Sequence, residues 1–157
     1  MQDKIKDIKP AYPLPVYNYK VLIDGQAVAF SEVAGLSISY ETVTYKESPT
    51  GSGVGPRVLH MPSQANPVNI TLKKGIVRKV SMPALYSWLK TTSINLVTKK
   101  DITVFLMDET GAAVISWKVI NAFPTKLDAP SFDANSNEVA IESMELRADS
   151  ILIEETA

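Results

Sequence analysis

The sequence predicts a mainly β domain carrying one packed α-helix. Two strand–turn–strand units with tight, Gly-containing turns point to it, and so does period-two apolar alternation in the segments between them. A single short stripe at helical spacing supplies the exception.

Residues 1–15 read as an extended arm, because Pro10, Pro13 and Pro15 deny it a helix. Residues 16–157 then form one domain. Its first unit is a hairpin: Tyr17–Ile23, the turn Asp24–Gly25, and Gln26–Phe30. An Asp-Gly pair between apolar runs is the strongest short-range hairpin signal. Leu36–Tyr45 follows as a strand whose apolar phase flips after Tyr40, which suggests a bulge or a change of buried partner. Lys46–Arg57, KESPTGSGVGPR, is a mobile loop by composition. It lacks the GK[ST] context that would make it a phosphate cradle. Val68–Lys74 alternates as a strand, and Lys73, Lys74, Arg78 and Lys79 cluster around Gly75, a pattern that fits a solvated loop better than a binding patch.

The helix comes next. Ser81 is its candidate cap, Pro83 suits its first turn, and Leu85, Trp88 and Leu89 form an i, i+3, i+4 stripe with Met82 that must pack on a sheet. Asp101–Met107 is almost continuously apolar, as a strand covered on both faces would be. After the turn DETG, Ala112–Ile120 returns as the second hairpin. Asn121–Asn137 reads as a long polar connection broken by Pro124 and Pro130. Periodicity alone leaves the segment after it open between helix and strand.

At 157 residues and 45% hydrophobic, the chain suits one domain with its own core. A net charge of −1 gives no global field for nucleic acid or anionic lipid. The absence of cysteine excludes disulfides, thiolate zinc sites and a cysteine nucleophile. No apolar stretch near the start is long enough for a signal peptide or a membrane span, so the expectation is a protein made in the cytoplasm and soluble there.

Chemistry-bearing constellations are sparse. His60 is the single histidine, with no nucleophile elbow beside it, and reads as a strand or loop residue. The acidic pairs Asp108/Glu109, Glu142/Glu145 and Glu154/Glu155 have no neighbours that would tune a pKa. Asp133, Asn135 and Asn137 alternate as at the start of a calcium loop, but Glu138 stands where the loop needs Gly and Met144 where it needs a bidentate Glu. Turn chemistry explains them without a metal. No catalytic residue, cofactor or metal is expected, and the protein reads as a non-enzyme.

Several stretches, in order and over nearly the full length, resemble the tail tube proteins of contractile phages and phage-tail-like injection systems. They are VYNYKVLIDG, FSEVAGLSISYETVTYKE, NITLKKGIV, LYSWLK, KKDITVFLMDETG and SWKVINAFPTKLDAPSFDANSNEVAIESMEL. NAFPTKLDAPSFDANSNE and LRADSILIEE are most similar to inner-tube proteins of extracellular contractile injection systems, of the antifeeding-prophage and virulence-cassette types. Tube proteins of contractile phages tend to end that strand in a Leu-Ala-His-Glu-Gly pattern, which is missing at Leu146–Ser150 and favours the injection-system branch.

The resemblance implies a small β-barrel or sandwich with one helix, the segment Val139–Leu146 being a strand. It implies six copies to a ring and rings stacked into a hollow conduit. The implied partners are a contractile sheath protein, baseplate and spike proteins, a terminator cap and cargo or effector proteins in the lumen, with no specific nucleic acid. Assembly in the bacterial cytoplasm, into a particle that can be released, is the implied location. Inter-ring stacking would fall to the loop residues Lys46, Glu47, Ser48, Thr50, Ser52 and Arg57, and the lumen to Ser37, Ser39 and Glu41. Rival readings are a type VI secretion tube protein, a contractile-phage tail tube, a free β-sandwich binding module and an enzyme with an unrecognised site.

Overall fold

In the computed structural model, which describes residues 12–94 and 96–156, two antiparallel sheets face each other and share one long strand. Most of the arm expected over residues 1–15 lies outside the described residues. The strands are β1 (Tyr19–Ile23), β2 (Gln26–Ala27), β3 (Glu32–Ala34), β4 (Tyr40–Glu47), β5 (Arg57–Ala65), β6 (Val68–Gly75), β7 (Lys100–Met107), β8 (Ala113–Asp128), β9 (Ile141–Ala148) and β10 (Ser150–Glu155). Between β6 and β7 a π-helical turn, Met82–Tyr86, runs into one α-turn, α1 (Ser87–Lys90).

The first sheet has the order β2-β1-β7-β8-β10 and the second β3-β6-β9-β8. The first half of β8 belongs to one sheet and the second half to the other. Its change of allegiance comes at Asn121, a bulge residue with φ of 55°. Asn121 is tied there twice: its N–H donates to Asp101 Oδ1 at 3.0 Å and its Nδ2 to Asp149 Oδ2 at 2.9 Å. Asn tolerates the left-handed region better than most residues, and two carboxylates fix the corner. The ladder is not closed into a barrel, since β2 and β3 stand unpaired to each other at its two ends. Of the two architectures implied, the sandwich is the one found.

The core lies between the sheets. Val21, Ile23, Ile102, Val104, Val119 and Ile151 point inward from the first, Val68, Ile70, Leu72, Met144, Leu146 and Ala148 from the second. Alternation predicts these faces, because residues two apart on a strand share a side. The first hairpin forms as expected: Asp24 and Gly25 have φ of 52° and 81°, a turn with both central residues left-handed, and Leu22 pairs with Ala27. The second also forms, with Asp108 Oδ1 accepting from Thr110 N at 2.9 Å and Ala112 N at 3.1 Å.

Several expectations are corrected. Strand structure in Leu36–Tyr45 begins only at Tyr40, because the chain turns at Gly35, whose φ is 91° and whose carbonyl accepts from Ser37 N at 2.8 Å. The phase flip after Tyr40 does mark a register shift, between Tyr40 and Thr42. Lys46–Arg57 is not wholly loop: Lys46 and Glu47 end β4, Arg57 begins β5, and only residues 48–56 form the tip.

The polar connection from Asn121 starts later than expected, since β8 runs on to Asp128. Pro124 is tolerated because β7 ends its pairing at Ala122, so the strand has only one partner there. At the helix, Leu85 (0% exposed) and Trp88 (2%) are in the core and Leu89 packs against it, as the stripe predicts, but Met82 is 64% exposed. Ser81 is no cap: its hydroxyl accepts from Val77 N at 2.8 Å and contacts Gly75 O at 3.4 Å, behind the helix rather than in it.

The ambiguous end of the chain is strand, β9 starting at Ile141, two residues later than implied. DANSN is turn chemistry, with Asp133 Oδ1 accepting from Asn135 N at 3.0 Å and Asp133 O from Ser136 N at 3.1 Å.

Candidate assembly surface

A ribbon and a polar sheet face are the surfaces that stand out. β4 and β5 pair only with each other and project from the sandwich. Their register puts Val43 opposite Met61, Tyr45 opposite Leu59 and Glu47 opposite Arg57 on one side, and Thr44 opposite His60 and Lys46 opposite Val58 on the other. One side of the ribbon is therefore apolar along most of its length. Val43, Tyr45 and Met61 on it are 45, 47 and 44% exposed. The apolar pairs stabilise the ribbon across its strands but leave most of that surface in water. Glu47 and Arg57 close its far end as an ion pair at 3.8 Å, which in such exposure stabilises little. His60 Nδ1 lies 3.2 Å from Thr44 Oγ1, a cross-strand role rather than a catalytic one.

Ser48, Thr50 and Ser52 stand at the exposed tip, so the structure places the six predicted stacking residues together at one end of the ribbon. Sequence reading missed β5, whose exposed Pro62 and lone His60 hide its alternation.

The outward face of the second sheet is mostly polar. Asn69, Thr71 and Lys73 of β6 stand beside Arg147, Glu145 and Ser143 of β9, with Lys126 and Asp128 of β8 completing the row. Its charges are largely satisfied within the face: Lys73 to Glu32 at 3.0 Å, Lys126 to Asp128 at 3.3 Å, and Arg147 Nε to Asn69 Oδ1 at 3.1 Å. Phe123 and Ile141 are apolar exceptions, and the Lys99 ammonium lies 5.6 Å from the Phe123 ring centroid. Of the predicted lumen residues, Ser37 and Ser39 precede β4 and Glu41 lies on it, all three exposed. Ser39 is joined to Asn66 just ahead of β6, through Asn66 N to its carbonyl at 2.9 Å and Nδ2 to its hydroxyl at 3.0 Å.

Two sequence readings of charge are overturned inside the fold. Lys74 is not a solvated lysine: it is 4% exposed and donates to Ala29 O at 3.0 Å, pinning the segment that crosses from β2 to β3. Glu142, its partner in the β6–β9 register, has a neighbour that tunes it after all. Burial pushes its pKa above the ordinary carboxylate value, and the Lys74 ammonium opposes that shift. Its Oε1 has no hydrogen-bond partner. The folded chain therefore holds the ionised form less well than the unfolded chain does. Glu142→Gln and the wild type are expected to melt alike below the usual Glu pKa of about 4.3, and the variant to gain an advantage as pH rises through the elevated value. Paired melts at acidic and neutral pH check this; a difference independent of pH would show that the charge is not what costs stability.

Among the described residues there is no cluster of His, Asp and Glu suited to a metal, and no helix is long and apolar enough to cross a membrane.

The family model described as T4-like virus tail tube protein gp19 matches residues 15–151. The chain belongs to the tail tube protein family. This tail tube protein matches a chain of the PVC extracellular contractile injection system, from its sheath–tube complex in the extended state, at 38% identity. The match covers 96% of this chain and 97% of that one with a TM-score of 0.86. A chain of the antifeeding-prophage tube-terminating cap matches at 39% identity, covering 92% and 93%, with a TM-score of 0.83. A chain of the antifeeding-prophage baseplate, at 20% identity and a TM-score of 0.76, shares the fold. No curated protein matches. The role expected from the sequence, a structural tube protein of a contractile injection system, is the one these relatives support.

Proposed function

We propose that the tail tube protein forms hexameric rings that stack into a hollow, non-catalytic conduit inside a contractile sheath, between baseplate and terminating cap, with cargo proteins passing through its lumen. Sheath shortening supplies the work, and the tube transmits it. Assembly in the bacterial cytoplasm and export as a particle follow from the same reading. The observation that carries it is the β4–β5 ribbon, which projects an apolar side that a lone subunit leaves in water. Heterologous contacts of that kind close rings or extend filaments. Its tip, with Lys46, Glu47, Ser48, Thr50, Ser52 and Arg57, is the element assigned to the next ring. The self-paired polar face of the second sheet is suited to a lumen that does not retain cargo, and Ser37, Ser39 and Glu41 extend it.

Deleting Thr50–Gly55 is expected to leave the circular dichroism spectrum and melting temperature nearly unchanged, because shortening a surface loop costs a subunit little. The same deletion should shorten filaments seen by negative-stain microscopy. Filaments of normal length and salt resistance would remove the tip from stacking. A purified wild-type protein that runs as a monomer at every concentration would remove the tube reading itself.

A further inference from the structure

One long edge of the first sheet is open. Among the described residues β10 pairs with β8 on one side and with nothing on the other. It carries Leu152 and Ile153, 52 and 56% exposed, and then Glu154 and Glu155. By alternation Ile153 shares the face of buried Ile151, yet it stays in water. Neither carboxylate has an ion-pair partner among the described residues. An unpaired apolar strand edge is a place where another chain joins, and a helix laid along it is one of the ways in which proteins cover it.

The helical segment offers a surface that matches. Leu85 and Trp88 turn into the core, which leaves Met82, Tyr86 and Lys90 on the outward stripe, with Lys79 and Val80 just ahead of it. Met82 is 64% exposed, Tyr86 45% and Val80 44%. Residues 75–100 contain no Asp or Glu in a chain of net charge −1, and Lys79 and Lys90 make no ion pair among the described residues. Lys79 also holds a φ of 63°, in the left-handed region that a residue with a β-carbon occupies at a cost, while no ion pair inside the subunit uses its ammonium. One surface is therefore apolar and basic, the other apolar and acidic.

The two lie apart within one subunit. Lys100 sits over the Trp88 ring and is the register partner of Ala122, whereas Glu154 pairs with Ser116. Ala122 and Ser116 are separated by six steps of strand, about 20 Å.

We propose that the Met82–Lys90 face of one copy covers the β10 edge of a second copy, Met82 and Tyr86 against Leu152 and Ile153, with Lys79 and Lys90 facing Glu154 and Glu155. The contact is heterologous, so each copy lends its helix to one neighbour and its edge to another, and the assembly acquires a direction. Apolar burial supplies the attraction and the charges fix which surface meets which. The inference rests on the tube reading, because it needs copies that join head to tail.

The test uses two charge-reversed chains, Lys79→Glu/Lys90→Glu and Glu154→Lys/Glu155→Lys, alone and mixed, with Met82→Asp as an apolar probe. Sedimentation and negative-stain microscopy read the assembly, and melting temperature confirms the fold. Each reversed chain alone sets like charges against each other across the contact, so its assembled fraction is expected to fall at least tenfold below wild type. In an equal mixture each chain meets the other with opposite charges, and assembly should return. Met82 is exposed in the subunit, so Met82→Asp is expected to melt as wild type does and to assemble at least tenfold less. Wild-type assembly by Met82→Asp or by either reversed chain alone, or a mixture that stays unassembled, overturns the docking. If Met82→Asp assembles normally but no longer binds the sheath protein, the helix face belongs to the sheath and the docking is overturned. A wild type that never assembles would refute the tube reading instead.

Discussion

Trp88→Ala is expected to destabilise the fold by about 3 to 5 kcal/mol, the range for deleting a large aromatic side chain from a core. Trp88 is 2% exposed, packs where α1 meets β8, and satisfies its indole N–H on Thr98 O at 2.7 Å. Truncation leaves a cavity, orphans that carbonyl and removes the ring over which the Lys100 ammonium sits at 5.1 Å. For a chain of this length each kcal/mol moves the melting temperature by roughly 2 to 4 °C, so the loss should be plain in a thermal scan. Trp88→Phe, which keeps most of the volume, should retain most of the stability. A Trp88→Ala protein that melts within a degree of wild type would mean that the helix contributes nothing to the core.

Gly35→Ala should be nearly as damaging, for a different reason. Gly35 has φ of 91°, and a Cβ built on it would lie 2.2 Å from the carbonyl oxygen of Asn69. The obstacle is backbone of β6, which cannot swing aside as a flexible side chain would. Left-handed geometry alone costs an L-residue about 1 to 2 kcal/mol, and overpacking adds about 1 to 3 kcal/mol. Relief requires β3 to part from β6, where Ala34 pairs with Thr71. Gly25→Ala is the control: its φ is 81°, but a Cβ there meets nothing within 4 Å. It should lose only the conformational part. Equal melting temperatures for the two variants would show that the close approach to Asn69 carries no energy.

What the sequence made legible were features decided within a few residues. Asp24–Gly25 announces its turn because only left-handed-tolerant residues fit there, and Leu85 and Trp88 announce their face because helical spacing leaves one side apolar. The ending of β8 was not legible. Pro124 looks like a stop until β7 is known to end at Ala122, and that partner is distant in sequence. Lys74 and Glu142 misled for the same reason: lysine and glutamate are read as solvated until a crossing segment is found above them. The stacking residues were named through family resemblance, and Ser37, Ser39 and Glu41 were picked by alternation once the resemblance implied a lumen. Geometry alone brings the stacking set to one ribbon end, and it adds a row on β6 and β9 that alternation did not single out, because its members are ordinary exposed polar residues.

The sheet order also governs when this protein can exist during its own synthesis. β1 completes its sheet against β7, Tyr19 pairing with Leu106, and β6 is flanked by β9, with Val68 pairing with Ala148. Both sheets thus keep an early strand, β1 or β6, waiting for a late one. A nascent chain halted before Ile141 has its β6 edge bare and its second sheet unbuilt, and long-range pairing of this kind is slow to nucleate. β10 comes later in the chain still, and its pairing with β8 completes the other edge of the first sheet. A subunit can therefore present two complete sheets to a neighbour only after β9 and β10 have been made.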